Sequence, residues 1–163
     1  FNSIAGDSEV IMTMGTSRGD PACGLVADQS TYNVDRTQGT AIATTVEFQT
    51  SDGKGLNWGV VLTDGPEQTD SSATNSASVD NAGSTSDGAI ALISVESIGS
   101  GTATVKVQDS SDDAAWADLI SFTAVTARTS EAVSATGTVD RYLRVQTTGT
   151  FTDLVFVVQI ARL

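Results

Sequence analysis

The 163-residue sequence contains no histidine, one cysteine and two prolines. Without histidine, no Ser–His or Cys–His nucleophile pair can form, and the commonest metal ligand is missing. With Cys23 alone, neither an intrachain disulfide nor a multi-cysteine metal site is possible. Cys23 reads as a small buried hydrophobe. A reactive thiol wants a basic neighbourhood, and Arg18 is the only base near it in sequence.

Positive charge is scarce as well. Eight Lys and Arg stand against 20 Asp and Glu, for a formal net charge of −12. Such a chain repels phosphate, which argues against sequence-specific DNA or RNA binding and against an anionic membrane surface. The sequence shows no apolar run long enough to span a bilayer, no signal peptide and no lipidation signature. No glycine-rich phosphate cradle of the P-loop or dinucleotide type is present. No cofactor is expected.

Helix periodicity is nearly absent, since no stretch keeps apolar residues at three-and-four spacing beyond two turns. Period-two alternation takes its place. In "TTVEFQTS" (44–51), Val46 and Phe48 share one face, with Glu47 and Gln49 on the other. In "LNWGVVL" (56–62), Leu56, Trp58, Val60 and Leu62 share a side. The intervening "DGKG" has turn chemistry, so the pair reads as a hairpin. Residues 63–88 hold almost no large apolar group and read as a domain boundary, with "SASVDN" as a possible edge strand. Further strands follow. "GAIALISVESI" (88–98) is apolar on both faces and should be central. "GTATVKVQDS" (101–110) points Ala103, Val105 and Val107 inward. "ADLISFTAV", "AVSATGT" and "RYLRVQTTG" come next, and "LVFVVQIARL" (154–163) closes the chain. Short strands separated by Gly, Ser and Asp turns predict an all-β fold: an antiparallel sandwich or jelly-roll-like arrangement of two small β modules.

Four aspartates cluster in "DSSDDAAWAD": Asp109, Asp112, Asp113 and Asp118. Calcium could use such oxygens, but the run lacks the glycine for a tight bend and the closing glutamate of an EF-hand loop. The simpler reading is a hairpin turn whose Asp and Ser side chains bond turn amides, with Trp116 covering the end. A solvated loop also offers nothing to push two carboxylate pKa values apart, so a catalytic pair is not expected. A Ser–Lys dyad would have to draw on Lys54 or Lys106, and neither sits in a recognisable motif. No catalytic, cofactor or metal residue is assigned.

Two smaller motifs remain. "SRGDP" holds Arg18-Gly19-Asp20, the integrin-recognition tripeptide, whose plainer reading is a solvated turn. Arg141 and Arg144 lie three apart in a strand, so they are expected on opposite faces, each paired with carboxylates, rather than as a joint anion clamp.

The stretch from "GTATVKVQDSSDDAAWADLISFTAVTA" to "DRYLRVQTTGTFTDLVFVVQIARL" resembles the C-terminal module of tailed-bacteriophage virion proteins. Before it, "YNVDRTQGTAIATTVEFQTSDGKGLNWGVVL" resembles the late part of a tail-tube-type β domain, so the resemblance covers Thr31 to Leu163. It implies a tail-tube-like or virion β domain over 1–66, short on its N-terminal side, and a β-sandwich module over 67–163. It further implies a non-enzymatic virion subunit that self-associates into rings around a genome channel, beside other virion proteins. The acidic surplus suits a conduit, since DNA should slide and not adhere. Two alternatives stand beside it. One is a capsid decoration protein acting as trimers. The other is a host-surface or carbohydrate adhesion module, which would need exposed aromatics. Alternation places most of Trp58, Trp116, Tyr32, Tyr142 and the phenylalanines inward.

Overall fold

A computed structural model describes residues 8–35, 43–51, 55–65 and 67–163. Every element among them is a strand or a short bridge, and no helix long and apolar enough to cross a membrane is present among them. The strands are β1 (Ser8–Thr13), β2 (Pro21–Asp35), β3 (Ala43–Thr50), β4 (Asn57–Val61), β5 (Gln68–Asp70) and β6 (Val79–Asp80). They continue with β7 (Ala89–Ser97), β8 (Ser100–Ser110), β9 (Ala117–Ser121), β10 (Thr129–Ala135), β11 (Tyr142–Thr152) and β12 (Leu154–Arg162). The fold is all-β and antiparallel, as the alternation predicts.

The strands form two sheets. The larger runs β1-β2-β4-β12-β7-β10, with β3 attached to β2 and β5 to β12; the smaller runs β6-β11-β8-β9. The larger sheet curls, so that its edge strands β1 and β10 approach each other. The Ser130 hydroxyl donates to the Glu9 carboxylate across that seam. β7 and β12 are buried on both faces, as their apolar runs require. β7 lies between β12 and β10, the central place expected for it.

The main core lies between the sheets. Ala91, Ile93 and Val95 of β7 and Phe156, Val158 and Ile160 of β12 meet Val105 and Val107 of β8 and Leu143 and Val145 of β11. Burying each large side chain contributes about 1.5–3 kcal/mol. A smaller cluster fills the opposite side of the larger sheet: Ile90, Leu92 and Ala161, with Ile11 and Ala132 against them.

Two of the crossings between the sheets are tight corners, from β7 to β8 and from β11 to β12, where strands switch sheets as in other sandwiches. They lie against each other, Gly99 N–H donating to the Thr152 carbonyl at 2.9 Å. Gly101 stands here at φ +84°, and a Cβ on it would lie 2.0 Å from the Thr150 carbonyl oxygen. Only glycine meets both conditions without strain.

The pairing overturns one expectation. β3 and β4 do not form a hairpin with each other. Both run antiparallel to β2, in line along it: Thr50 opposes Ala27, and Asn57 opposes Gly24. Both also lie on the edge of β2 away from β1, because Ala27 pairs with Ser8 on one side and Thr50 on the other. Alternation marks two strands and glycines mark a break between them, but neither says who the hydrogen-bonding partner is. Of "DGKG", residues 52–54 lie outside the described residues.

The expected boundary at residue 66 falls between β4 and β5, and sheet pairing crosses it. β4 pairs with the C-terminal strand β12 through Val60–Ile160 and Val61–Gln159. The join is close-fitting, since a Cβ on Gly59 would sit 1.8 Å from the Ile160 carbonyl oxygen. Within 63–88, β6 is a short edge strand on β11, as "SASVDN" suggests.

Candidate functional site

The aspartate-rich stretch is the turn of the β8–β9 hairpin, and three of its four carboxylates each have separate partners. Asp109 accepts the Asp140 N–H at 3.0 Å. Asp112 folds back on its own loop, one oxygen accepting the N–H groups of Ala115 (2.8 Å) and Ala114 (3.0 Å) and the Ser110 hydroxyl (3.0 Å). Those bonds hold its pKa below the usual carboxylate value, the Ala115 N–H most strongly. Asp113 is exposed at φ 61°. Asp118 accepts Lys106 Nζ at 2.6 Å and Gln108 Nε2 at 2.8 Å, and both lower its pKa, Lys106 the more. Three acids do not converge on one point anywhere among the described residues. Lys106 is an ion-pair partner here; Lys54 lies outside the described residues.

Arg144 extends this network across the outer face of the smaller sheet. Its Nε and Nη2 donate to Gln108 Oε1 at 3.0 and 2.8 Å, and its guanidinium lies 4.1 Å from the centroid of the Trp116 ring. Arg141 behaves as expected and Arg144 does not. Arg141 forms a forked pair with Asp80, both bonds 2.6 Å, lowering the Asp80 pKa to about 2. Arg144 instead takes an amide oxygen and a ring.

The Arg18-Gly19-Asp20 turn points its arginine inward. The guanidinium donates to the Leu62 carbonyl at 2.9 Å and pairs with Asp64 at 2.9 Å, and the side chain is only 13% exposed. Asp20 accepts the Ser17 N–H. This geometry locks the 14–20 connection to the chain after β4, and the arginine is spent on the fold.

The cleft of about 460 Å³ beside Ile93 and Val125 contains one carboxylate, Glu131, which accepts both the N–H and the hydroxyl of Thr123. It offers no nucleophile–base pair.

The unexpected surface lies on the β1–β2–β4 end of the larger sheet. Met12 opposes Cys23, and Cys23 opposes Trp58, so the three side chains share a face. Cys23 is 1% exposed, as its bland reading requires, whereas Met12 is 46% and Trp58 55% exposed. The alternating set Leu56, Trp58, Val60 and Leu62 is divided: Leu62 is buried and Val60 packs on the core, while Leu56 and Trp58 face solvent. The smaller sheet covers β7 and β12 and does not reach this far. Beyond Ala27, β2 has no partner but β3 among the described residues, and the two continue as a ribbon to Asp35. Phe48 on that ribbon is exposed. The side chain of Tyr32 lies outside the described residues.

No protein-family model matches the chain, and no curated protein is significantly similar to it.

Proposed function

We propose that this chain is a non-enzymatic structural subunit of a tailed-phage virion, built to associate with copies of itself, most plausibly as a ring-forming tail-tube protein. The observation that carries the assembly reading is the β2–β3 ribbon. A two-stranded ribbon is marginally stable alone in water, and its outer edges have no partner among the described residues. Such an edge is a template for another strand unless it is blunted, and a neighbouring copy can supply that strand. The exposed Met12 and Leu56 beside it extend the area available for contact. The virion assignment rests on the resemblance of Thr31–Leu163 to phage modules. The −12 net charge supports a channel wall along which DNA slides.

A proline at position 48 tests the assembly reading. Ser51 N–H bonds to the Val26 carbonyl. Alternation then turns the Phe48 N–H away from β2, so proline there removes a donor the internal ladder does not use. Negative-stain images of the unmodified chain should show rings. Phe48→Pro should give dispersed monomers with an unchanged melting temperature. Compact trimers would favour the capsid-decoration role, and monomers of the unmodified chain at all concentrations would sink the assembly reading.

A further inference from the structure

A cleft of about 250 Å³ opens beside Trp58, where β4 meets β12 and the connection after β6 passes over them. Its floor is apolar, from Val60 and Ile160, and one wall is the exposed indole of Trp58. Asn81, Thr85 and Arg162 make the polar side.

Two of these polar groups are under-used. The Thr85 hydroxyl is buried with no hydrogen-bond partner. Its main chain is nevertheless fixed by reciprocal bonds with Val139 at 3.0 and 2.9 Å. That oxygen is sealed from the cleft, so Thr85 shapes the wall and meets no ligand atom. Arg162 is half-buried and donates only to the main-chain carbonyls of Gly83 and Asn81. Among the described residues no carboxylate lies within ion-pair distance of it, whereas Arg18, Lys106, Arg128 and Arg141 each have one. Burial also pulls its pKa below the usual value. In a chain with 20 acids, a half-buried arginine without an acid partner leaves room for a visiting anion.

The cleft is smaller than the ~300 Å³ at which small-molecule pockets usually begin, so it suits one ring and not a chain of them. A polyanion would meet the net negative surface, whereas a ligand with a single charge meets little repulsion. We propose that this cleft binds one acidic monosaccharide residue, of the uronic or sialic acid type, as a glycan contact independent of the assembly role. Trp58 would stack on the C–H face of the ring and Arg162 would take the carboxylate. Asn81 would meet a hydroxyl.

The test is a titration of the full chain with N-acetylneuraminic acid, glucuronic acid and glucose, followed by indole N–H NMR signals and tryptophan fluorescence. Both acidic sugars should shift the Trp58 signal saturably, with a dissociation constant on the order of 1 mM, and leave Trp116 unmoved. Glucose should not. Trp58→Ala should abolish the response, and Arg162→Gln should abolish the preference for acid. The proposal fails if no sugar gives a saturable shift, or if glucose matches glucuronic acid. It fails too if the Trp58 signal follows protein concentration alone, which would mark a contact between copies.

Discussion

Arg144 lies over the Trp116 ring, 4.1 Å from its centroid, and its Nε and Nη2 both donate to Gln108 Oε1. Half-buried and without an ion pair among the described residues, this guanidinium is held by geometry more than by charge. Lysine cannot reproduce a planar fork or a stacked plane. Arg144→Lys should therefore cost about 1–2 kcal/mol in urea unfolding, with the slope unchanged. In a double-mutant cycle with Trp116→Ala, the coupling should be about 0.5–1 kcal/mol. Additive single changes would mean that the stack contributes nothing.

Asp80 ties β6 to the start of β11 through its fork with Arg141, and its pKa falls from 3.8 to about 2, chiefly through that hydrogen bond. A depressed carboxylate stabilises the fold fully above its unfolded pKa and loses that contribution as pH falls through the folded value. The stability difference between the unmodified chain and Asp80→Asn should thus be constant above about pH 5, shrink as pH falls toward 2 and vanish below about pH 1. Thermal melts across that range provide the check. A difference that persists undiminished at pH 2 would show that the carboxylate charge is not what holds this corner.

Gly59 is the point where the N-terminal strands join the C-terminal ones. Any side chain there meets the backbone of Ile160, which cannot move aside without breaking the β4–β12 ladder. Gly59→Ala should destabilise by about 3 kcal/mol or more, toward the upper end of overpacking costs. If calorimetry instead finds a change below about 1 kcal/mol, the two sections are not coupled through this strand pair.

Cys23 is sealed between Met12 and Trp58. Its thiol should resist a disulfide reagent in the folded chain and react at once in denaturant. Trp58→Ala should open one flank and raise the native-state labelling rate. Rapid labelling of the unmodified chain would contradict this packing.

Where both faces or one face of a strand are apolar, the sequence was readable. Ala103, Val105 and Val107 point into the core, and β7 is central. What it did not reveal follows from what periodicity leaves unsaid. It names no strand before Thr44, because β2 opens on small residues buried on both faces, Ala22 through Ala27, which show no alternation. Alternation groups Trp58 with Val60 correctly but cannot say where the covering sheet stops, so Trp58 reads as buried and stands exposed. The β2–β3 ribbon was hidden for the same reason: among the described residues its pairing depends on β2 outrunning β1, fifteen residues against six. The Trp58 cleft draws on Asn81, Thr85 and Arg162, distant in sequence and brought together only by β12 lying against β4.

The claim beneath the rest is that an open strand edge on β3 is completed by another copy of the chain. Amide hydrogen exchange at Phe48 and Thr50, measured across a range of protein concentration, tests it most directly. Their outward N–H groups should exchange freely in dilute solution and become protected as particles form, while the inward Ser51 N–H stays protected throughout. Particles that assemble while Phe48 and Thr50 remain unprotected would contradict the claim.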